Sequence, residues 1–204
     1  MKKDSEIPNP EHPYDELWTR FRNGDEAAFE EMYQAYVGIL YNYGLHIIDN
    51  TWLIQEAIQD LFINLWKSRN TLSDTTSIKY YLFRSLRRKL HRMVNSEQSF
   101  TGISADDKSS QIPQINSFEA EHIAREDQLE QIRKLRAAMA ELPPRQQEAI
   151  RLRFFDEFSL EEIATIMQMN EQSVRNLIQR SIKKLRQAFV GISITFFLLY
   201  PFFC

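Results

Sequence analysis

The sequence predicts an all-α protein of two small helical domains joined by a flexible linker. Three observations carry that expectation. Apolar residues recur at three- and four-residue spacing along most of the chain, and no segment has the period-2 alternation of a half-buried strand. Only 5 of the 204 residues are glycine, too few for Gly-rich phosphate cradles or a many-hairpin β fold, which need glycine at positive φ. Helical periodicity lapses between Asn95 and Asn116, where Ser, Asp and Gln dominate around one Gly and one Pro, the composition of a linker. At 43% hydrophobic residues the chain can build a core on either side of that break.

Taken in order, Tyr14 to Arg22 reads as a short helix ended by Asn23-Gly24. Asp25 to Tyr43 follows as a longer one, started by Asp25 and Glu26, with Ala28, Met32, Tyr36, Ile39 and Tyr43 as its apolar stripe. Thr51 to Lys67 is apolar around most of its circumference, leaving Glu56, Gln59, Asp60 and Lys67 as a polar stripe. Ser68 to Ser77 is a polar loop, and Lys79 to Val94 a helix with Leu82, Leu86, Leu90 and Met93 inward. Periodicity returns near Phe118 and is firm by Leu129, Ile132, Leu135 and Met139. Pro143-Pro144 closes that helix and sets up Gln146 to Phe155. Ser159-Leu160-Glu161-Glu162 is a capping box that starts Leu160 to Met167, and Asn170 is placed to cap Glu171 to Ala188. The organisation expected is one domain over residues 14–98, an acidic linker over 99–127, a second domain over 128–189 and an apolar tail over 190–204.

The overall charge of −3 argues at first against a nucleic-acid partner, but it is an average over segregated blocks. Residues 79–94 hold six basic and no acidic side chains, and residues 171–190 hold five basic groups against Glu171 alone. Acidic segments lie before and between them. A block of one sign is ordinarily a solvated face; two of them, each on a helix, call for more.

A helix, a three-residue turn and a basic second helix form the helix-turn-helix pattern. Ile163 and small Ala164 allow close packing against an inner stripe of Val174, Leu177, Ile178 and Ile182. Ser173, Arg175, Asn176, Gln179, Arg180, Lys183 and Lys184 are left toward other faces. Arg, Asn and Gln near the start of such a helix suit base edges in the major groove, and the later Arg180, Lys183 and Lys184 suit phosphates. The alternative is a plain helical hairpin with a solvated basic face.

These residues resemble region 4 of the bacterial sigma-70 family: Leu142-Pro143-Pro144-Arg145-Gln146, Arg151 to Phe155, Ser159 to Ala164, Ser173 to Asn176 and Lys183 to Arg186. Glu56 to Trp66 looks like region 2.2 and Lys79 to Lys89 like regions 2.3 to 2.4, so the resemblance is closest to the extracytoplasmic-function group, which keeps only regions 2 and 4. One departure is Gln168, where the family usually has Gly or a short Gly-containing turn, so Gln must take a less favourable backbone conformation or the turn must differ.

The resemblance implies a subunit that binds core RNA polymerase and directs initiation at promoter DNA. Ser173, Arg175, Asn176, Gln179, Arg180, Lys183 and Lys184 would face the −35 element. Lys79, Tyr80, Tyr81, Arg84, Arg87, Arg88, His91 and Arg92 would face the −10 element. On the residues themselves, Arg84, Arg88, His91 and Arg92 make a polar stripe, with Arg87 alongside, able to neutralise phosphates. Tyr80 and Tyr81 either stack on unpaired bases beside the polar loop or pack in the core. Glu56, Gln59, Asp60 and Ile63 recur at i, i+3, i+4 and i+7, and in this family the matching helix contacts the polymerase. Charge sets register there and Ile63 offers burial.

No catalytic constellation is found, so no enzyme activity is expected. His12, His46, His91 and His122 are scattered without metal-ligand spacing, and neither a metal nor another cofactor is expected. The lone Cys204 and the polar stretch Met1 to Asn9 fit a reducing, cytoplasmic setting. An anti-sigma factor is a partner the resemblance implies. The uncharged tail leaves three roles open: packing on its own chain, binding such a partner, or a weak peripheral contact with a membrane. Two other functions compete: a DNA-binding regulator independent of polymerase, which leaves Glu56 to Trp66 idle, and a tethered helical protein that binds anionic lipid, which leaves the ordered motifs unexplained.

Overall fold

The computed structural model describes residues 13–73, 75, 77–101 and 126–188, with side chains over 16–73, 75, 77–96 and 132–187. Among them are eight α-helices and no strand. The first domain holds α1 (Pro13–Arg22), α2 (Glu26–Leu45), α3 (Thr51–Ser68) and α4 (Ile78–Thr101). The second holds α5 (Glu126–Ala140), α6 (Pro144–Phe154), α7 (Leu160–Met167) and α8 (Glu171–Ala188). Phe118 and the tail lie outside the described residues, as does most of the linker.

Local chemistry fixes the helix starts. Gly24 sits at φ +89° in the turn after α1, a region open to glycine. Asp25 then caps α2, its carboxylate accepting from the N–H groups of Ala27 and Ala28 at 2.9 and 3.1 Å. Asn50 caps α3 through Leu53 N–H. Pro144 is the first residue of α6, two residues ahead of the sequence expectation, because its missing N–H costs nothing there.

The first core is Trp18, Phe21, Ala28, Met32, Leu40, Tyr43, Ile54, Leu65, Leu82, Phe83, Leu86 and Leu90, all buried. Leu40, not Ile39, belongs to the α2 stripe; Ile39 is 40% exposed. Gly44 marks where α2 and α3 approach closest, since a Cβ there would stand 2.6 Å from Ile54 Cγ2. In the second core Ile163, Ala164, Ile166 and Met167 of α7 pack with Val174, Ile178 and Leu185 of α8, beside Leu142, Ala149 and Leu152. The inner line of α8 is Val174, Ile178, Ser181 and Leu185, whereas Leu177 and Ile182 are half-buried at its margins. Ser181 is tolerated because its hydroxyl donates to the Leu177 carbonyl at 2.8 Å.

One expected bound is corrected. The helix expected over Lys79 to Val94 does not stop there: α4 continues to Thr101 through mostly polar residues. The two domains also pack together, with α7 on α4 and the buried apolar residues of both in one continuous cluster.

Candidate nucleic-acid interface

The helix-turn-helix is built by its caps. Ser159 Oγ accepts from Glu162 N–H at 3.2 Å while Glu162 accepts from Ser159 N–H at 2.8 Å, the reciprocal box read from the sequence. Gln168 ends α7 in the left-handed region at φ 55°, ψ 50°, so the turn is kept and the side chain bears the strain. Met169 N–H then bonds the Ala164 carbonyl at 2.8 Å, and Asn170 Oδ1 accepts from Ser173 N–H at 2.7 Å to start α8.

This geometry aims α8. Gln172, Asn176, Gln179, Arg180 and Lys183 are exposed along one side, with Lys184 exposed beside them, opposite the buried Val174 and Ile178. Asn176 accepts from Gln172 at 3.1 Å. Arg175 is half-buried and pairs with Glu171 at 3.0 Å, which holds it along the helix axis. Ser173 is half-buried in the first turn.

On the first domain the polar loop after α3 begins with a 3-10 turn, Arg69–Thr71. Trp18 holds it, donating its indole N–H to the Ser73 carbonyl at 3.2 Å. The same ring packs on Tyr81 with centroids 5.5 Å apart. Tyr80 and Tyr81 are both half-buried, so each combines packing with an accessible edge. Tyr81, Arg88 and Arg92 line one cleft between α3 and α4, of about 240 Å³, with Asn64, Ser68, Ser85 and Lys89. None of those last four was an expected site residue, because α3 and α4 were read separately. Arg84 is half-buried, and His91 is exposed.

Two members of the basic set face elsewhere. Arg87 is not alongside an open stripe: it is 4% exposed and paired with Glu148 of α6, itself 7% exposed. Its Nε donates to Glu148 Oε1 at 2.7 Å and its Nη2 to Oε2 at 3.2 Å, and Tyr43 Oη donates to Oε1 at 2.8 Å. Burial alone would lower the Arg87 pKa, but the carboxylate raises it on balance, while burial and then Glu148 hold the Tyr43 phenol well above its usual value. Lys79 donates to the Asp156 carbonyl at 2.7 Å and lies over the Phe158 ring. Around them, Phe83 and Phe158 meet edge-on at 5.0 Å, and Arg151 bonds His46. Burial, then Arg151, lower the His46 pKa to about 4.

On α3, Glu56 and Asp60 are half-buried and Gln59 and Ile63 exposed. Asp60 is engaged with Lys89 Nζ of α4 at 2.7 Å. The face gains Trp52, which the sequence reading omitted: it lies at i, i+4, i+7, i+11 with Glu56, Gln59 and Ile63 and is 65% exposed. An exposed tryptophan in line with the charged stripe was the available signal.

A helical unit with a basic helix and cleft, joined to a helix-turn-helix unit, defines a DNA-binding protein of the all-helical class. Residues 32–100 match Sigma-70 region 2, and residues 132–185 match Sigma-70, region 4. The chain belongs to the sigma-70 family, in its extracytoplasmic-function group, and is a sigma factor of transcription initiation. The ECF RNA polymerase sigma factor SigX of Bacillus subtilis (strain 168) is 23% identical over 164 residues, which cover 79% of this chain and 84% of that protein. The fold is shared with CnrH in complex with the cytosolic domain of CnrY, at TM-score 0.55 and 17% identity over 88% of this chain and 98% of that one. It is also shared with the sigma factor RpoE in complex with the anti-sigma factor NepR from Bartonella quintana, at TM-score 0.57 and 16% identity over 80% of this chain and 98% of that one. Among the described residues no group of metal-ligating side chains forms a metal site, and no helix is long and apolar enough to cross a membrane.

Proposed function

We propose that this sigma factor binds core RNA polymerase through α3 and directs promoter-specific initiation by recognising two DNA elements. In this reading residues 14–98 and 128–189 are its two working domains. Asn176 and Gln179 read base edges of the −35 element as duplex, and Arg180, Lys183 and Lys184 hold its phosphates, with Ser173 and Arg175 at the entry. The −10 strand runs along α4, where Arg84, Arg88, His91 and Arg92 meet the backbone and Tyr80 and Tyr81 meet an unpaired base. Glu56, Gln59, Asp60 and Ile63 face the polymerase.

The observation that carries this is the exposed line Asn176, Gln179, Arg180 and Lys183 on a helix whose start is fixed by the capped turn. Strand opening then follows from tighter binding to the melted state, with no nucleotide hydrolysis by this chain. The fold likeness to the sigma factor RpoE in complex with the anti-sigma factor NepR supports an anti-sigma factor as a further partner. The test is run-off transcription with purified core polymerase over a genomic fragment library. Promoter-dependent initiation that requires this chain is the expected result; its absence from every fragment overturns the reading.

A further inference from the structure

The interface between the domains uses Lys79 and Arg87, two of the α4 side chains that the sequence resemblance assigns to the −10 element. Lys79, Phe83 and Arg87 recur at i, i+4 and i+8, so α4 turns one stripe toward the second domain. That stripe meets Glu148 of α6 and the segment Asp156 to Phe158. Arg87 is held in fork geometry: two nitrogens on two oxygens of one carboxylate. A phosphate offers a guanidinium the same two-oxygen edge and the same sign of charge.

We propose that Glu148 occupies the nucleic-acid phosphate position of Arg87, so that closure of the second domain on α4 and binding of single-stranded DNA to α4 exclude each other. The proposal rests on the assignment of α4 to DNA. Closure withdraws Lys79 as well, since its ammonium is bonded to the Asp156 carbonyl.

The balance suits a switch. A buried ion pair gains little net free energy, because desolvation offsets the attraction, so it does not bind the domains irreversibly. Phe83 against Phe158 supplies apolar contact, and Tyr43 fixes the carboxylate from the other side. Removing the Glu148 charge leaves Arg87 buried without a counter-ion in the closed form, while in the open form water solvates it. The substitution therefore acts on the closed state alone, and apparent DNA affinity rises with the fraction of open molecules.

The test uses the full chain with Cys204→Ser and fluorophores on Gln34→Cys of α2 and Glu161→Cys of α7, so that energy transfer reports closure. The probe is a short single-stranded DNA of mixed sequence. In the chain with its interface intact, saturating DNA lowers energy transfer; transfer that stays constant while DNA binds overturns the proposal without any latch variant having to fold. Glu148→Gln lowers transfer before DNA is added and raises affinity about tenfold or more, and adding Arg87→Ala cancels the gain. Unchanged transfer, or opening without a gain in affinity, overturns the proposal. Arg88→Ala, outside the interface, separates the two readings: it weakens binding if α4 carries DNA at all. If it does and Glu148→Gln has no effect, the exclusion falls and the assignment of α4 stands.

Discussion

Trp52→Ala is the sharpest test of the polymerase-docking face. A tryptophan buries roughly 150–250 Å² when fully covered. With 65% of Trp52 open, docking can cover on the order of 130 Å², or about 3 kcal/mol at about 25 cal/mol per Å². That is a loss of about 150-fold in affinity for core polymerase, within the range of an interfacial tryptophan anchor. Ile63→Ala, from a residue 41% exposed, costs less, about 1 kcal/mol. Neither side chain is in the core, so thermal unfolding stays within about 1 °C of the parent chain. Asp60→Arg is a poorer probe, because it sets a cation against Lys89 and disturbs α3 on α4 as well as docking. The assay is titration of labelled sigma factor with purified core polymerase, beside unfolding curves of the same samples. An affinity within twofold of the parent for Trp52→Ala refutes the docking assignment, since a desolvated tryptophan cannot be neutral.

Gln168→Gly relieves a left-handed residue at φ 55°; set against glycine's extra chain entropy, the net gain is about 0.5–1 kcal/mol, read as a rise of about 2 °C in Tm. Asn176→Ala, on the exposed face of α8, reduces discrimination at one base pair of the −35 element by about 1–3 kcal/mol, measured by competition between promoter variants, with non-specific affinity little changed. Acid weakens the fold through His46: folded, it takes up a proton only near pH 4, whereas the unfolded chain does so from about 6.5. Its contribution is intact above 6.5 and is lost as pH falls toward 4, by about 2 kcal/mol after solvent screening; His46→Gln flattens that slope in pH-dependent unfolding. Asp156, raised by burial, acts in the opposite sense at the acid end, favouring the folded state as it protonates.

What the sequence made legible was whatever local chemistry decides. The starts of α7 and α8 follow from Ser159, Glu162 and Asn170, whose side chains answer N–H groups three residues away. The end of α4 did not follow, because loss of an apolar stripe marks where burial ends, not where backbone hydrogen bonding ends; Asn95 to Thr101 continue as helix without it. Arg87 was misjudged for a different reason. Nothing near it in sequence pairs its charge, and its partner is 61 residues away across a packing contact. Glu148 had no local mark at all, sitting in a polar run that suits any exposed first turn of a helix. Burial of charge is a tertiary property, so the exposed face of α8 was readable in the sequence, and that of α4, partly covered, was only half so.

The same accounting sets the salt dependence of DNA binding. Of the six basic side chains in residues 79–94, Lys89 is bonded to Asp60, Arg87 to Glu148 and Lys79 to the Asp156 carbonyl. Closed, α4 offers Arg84, Arg88 and Arg92. Open, it adds Lys79 and Arg87, since their partners leave with the second domain, while Lys89 keeps its partner within the first. With a single strand each neutralised phosphate contributes about −0.7 to the slope of log K against log salt, so the slope steepens from about −2 closed to about −3.5 open. Measured on the parent chain and on Glu148→Gln between low and moderate salt, equal slopes would mean that opening adds no phosphate contacts, and Arg87 and Lys79 would then have no part in binding DNA. A steeper slope in the variant ties the added affinity to those cations specifically, because a gain from better packing or base stacking leaves the counter-ion count unchanged.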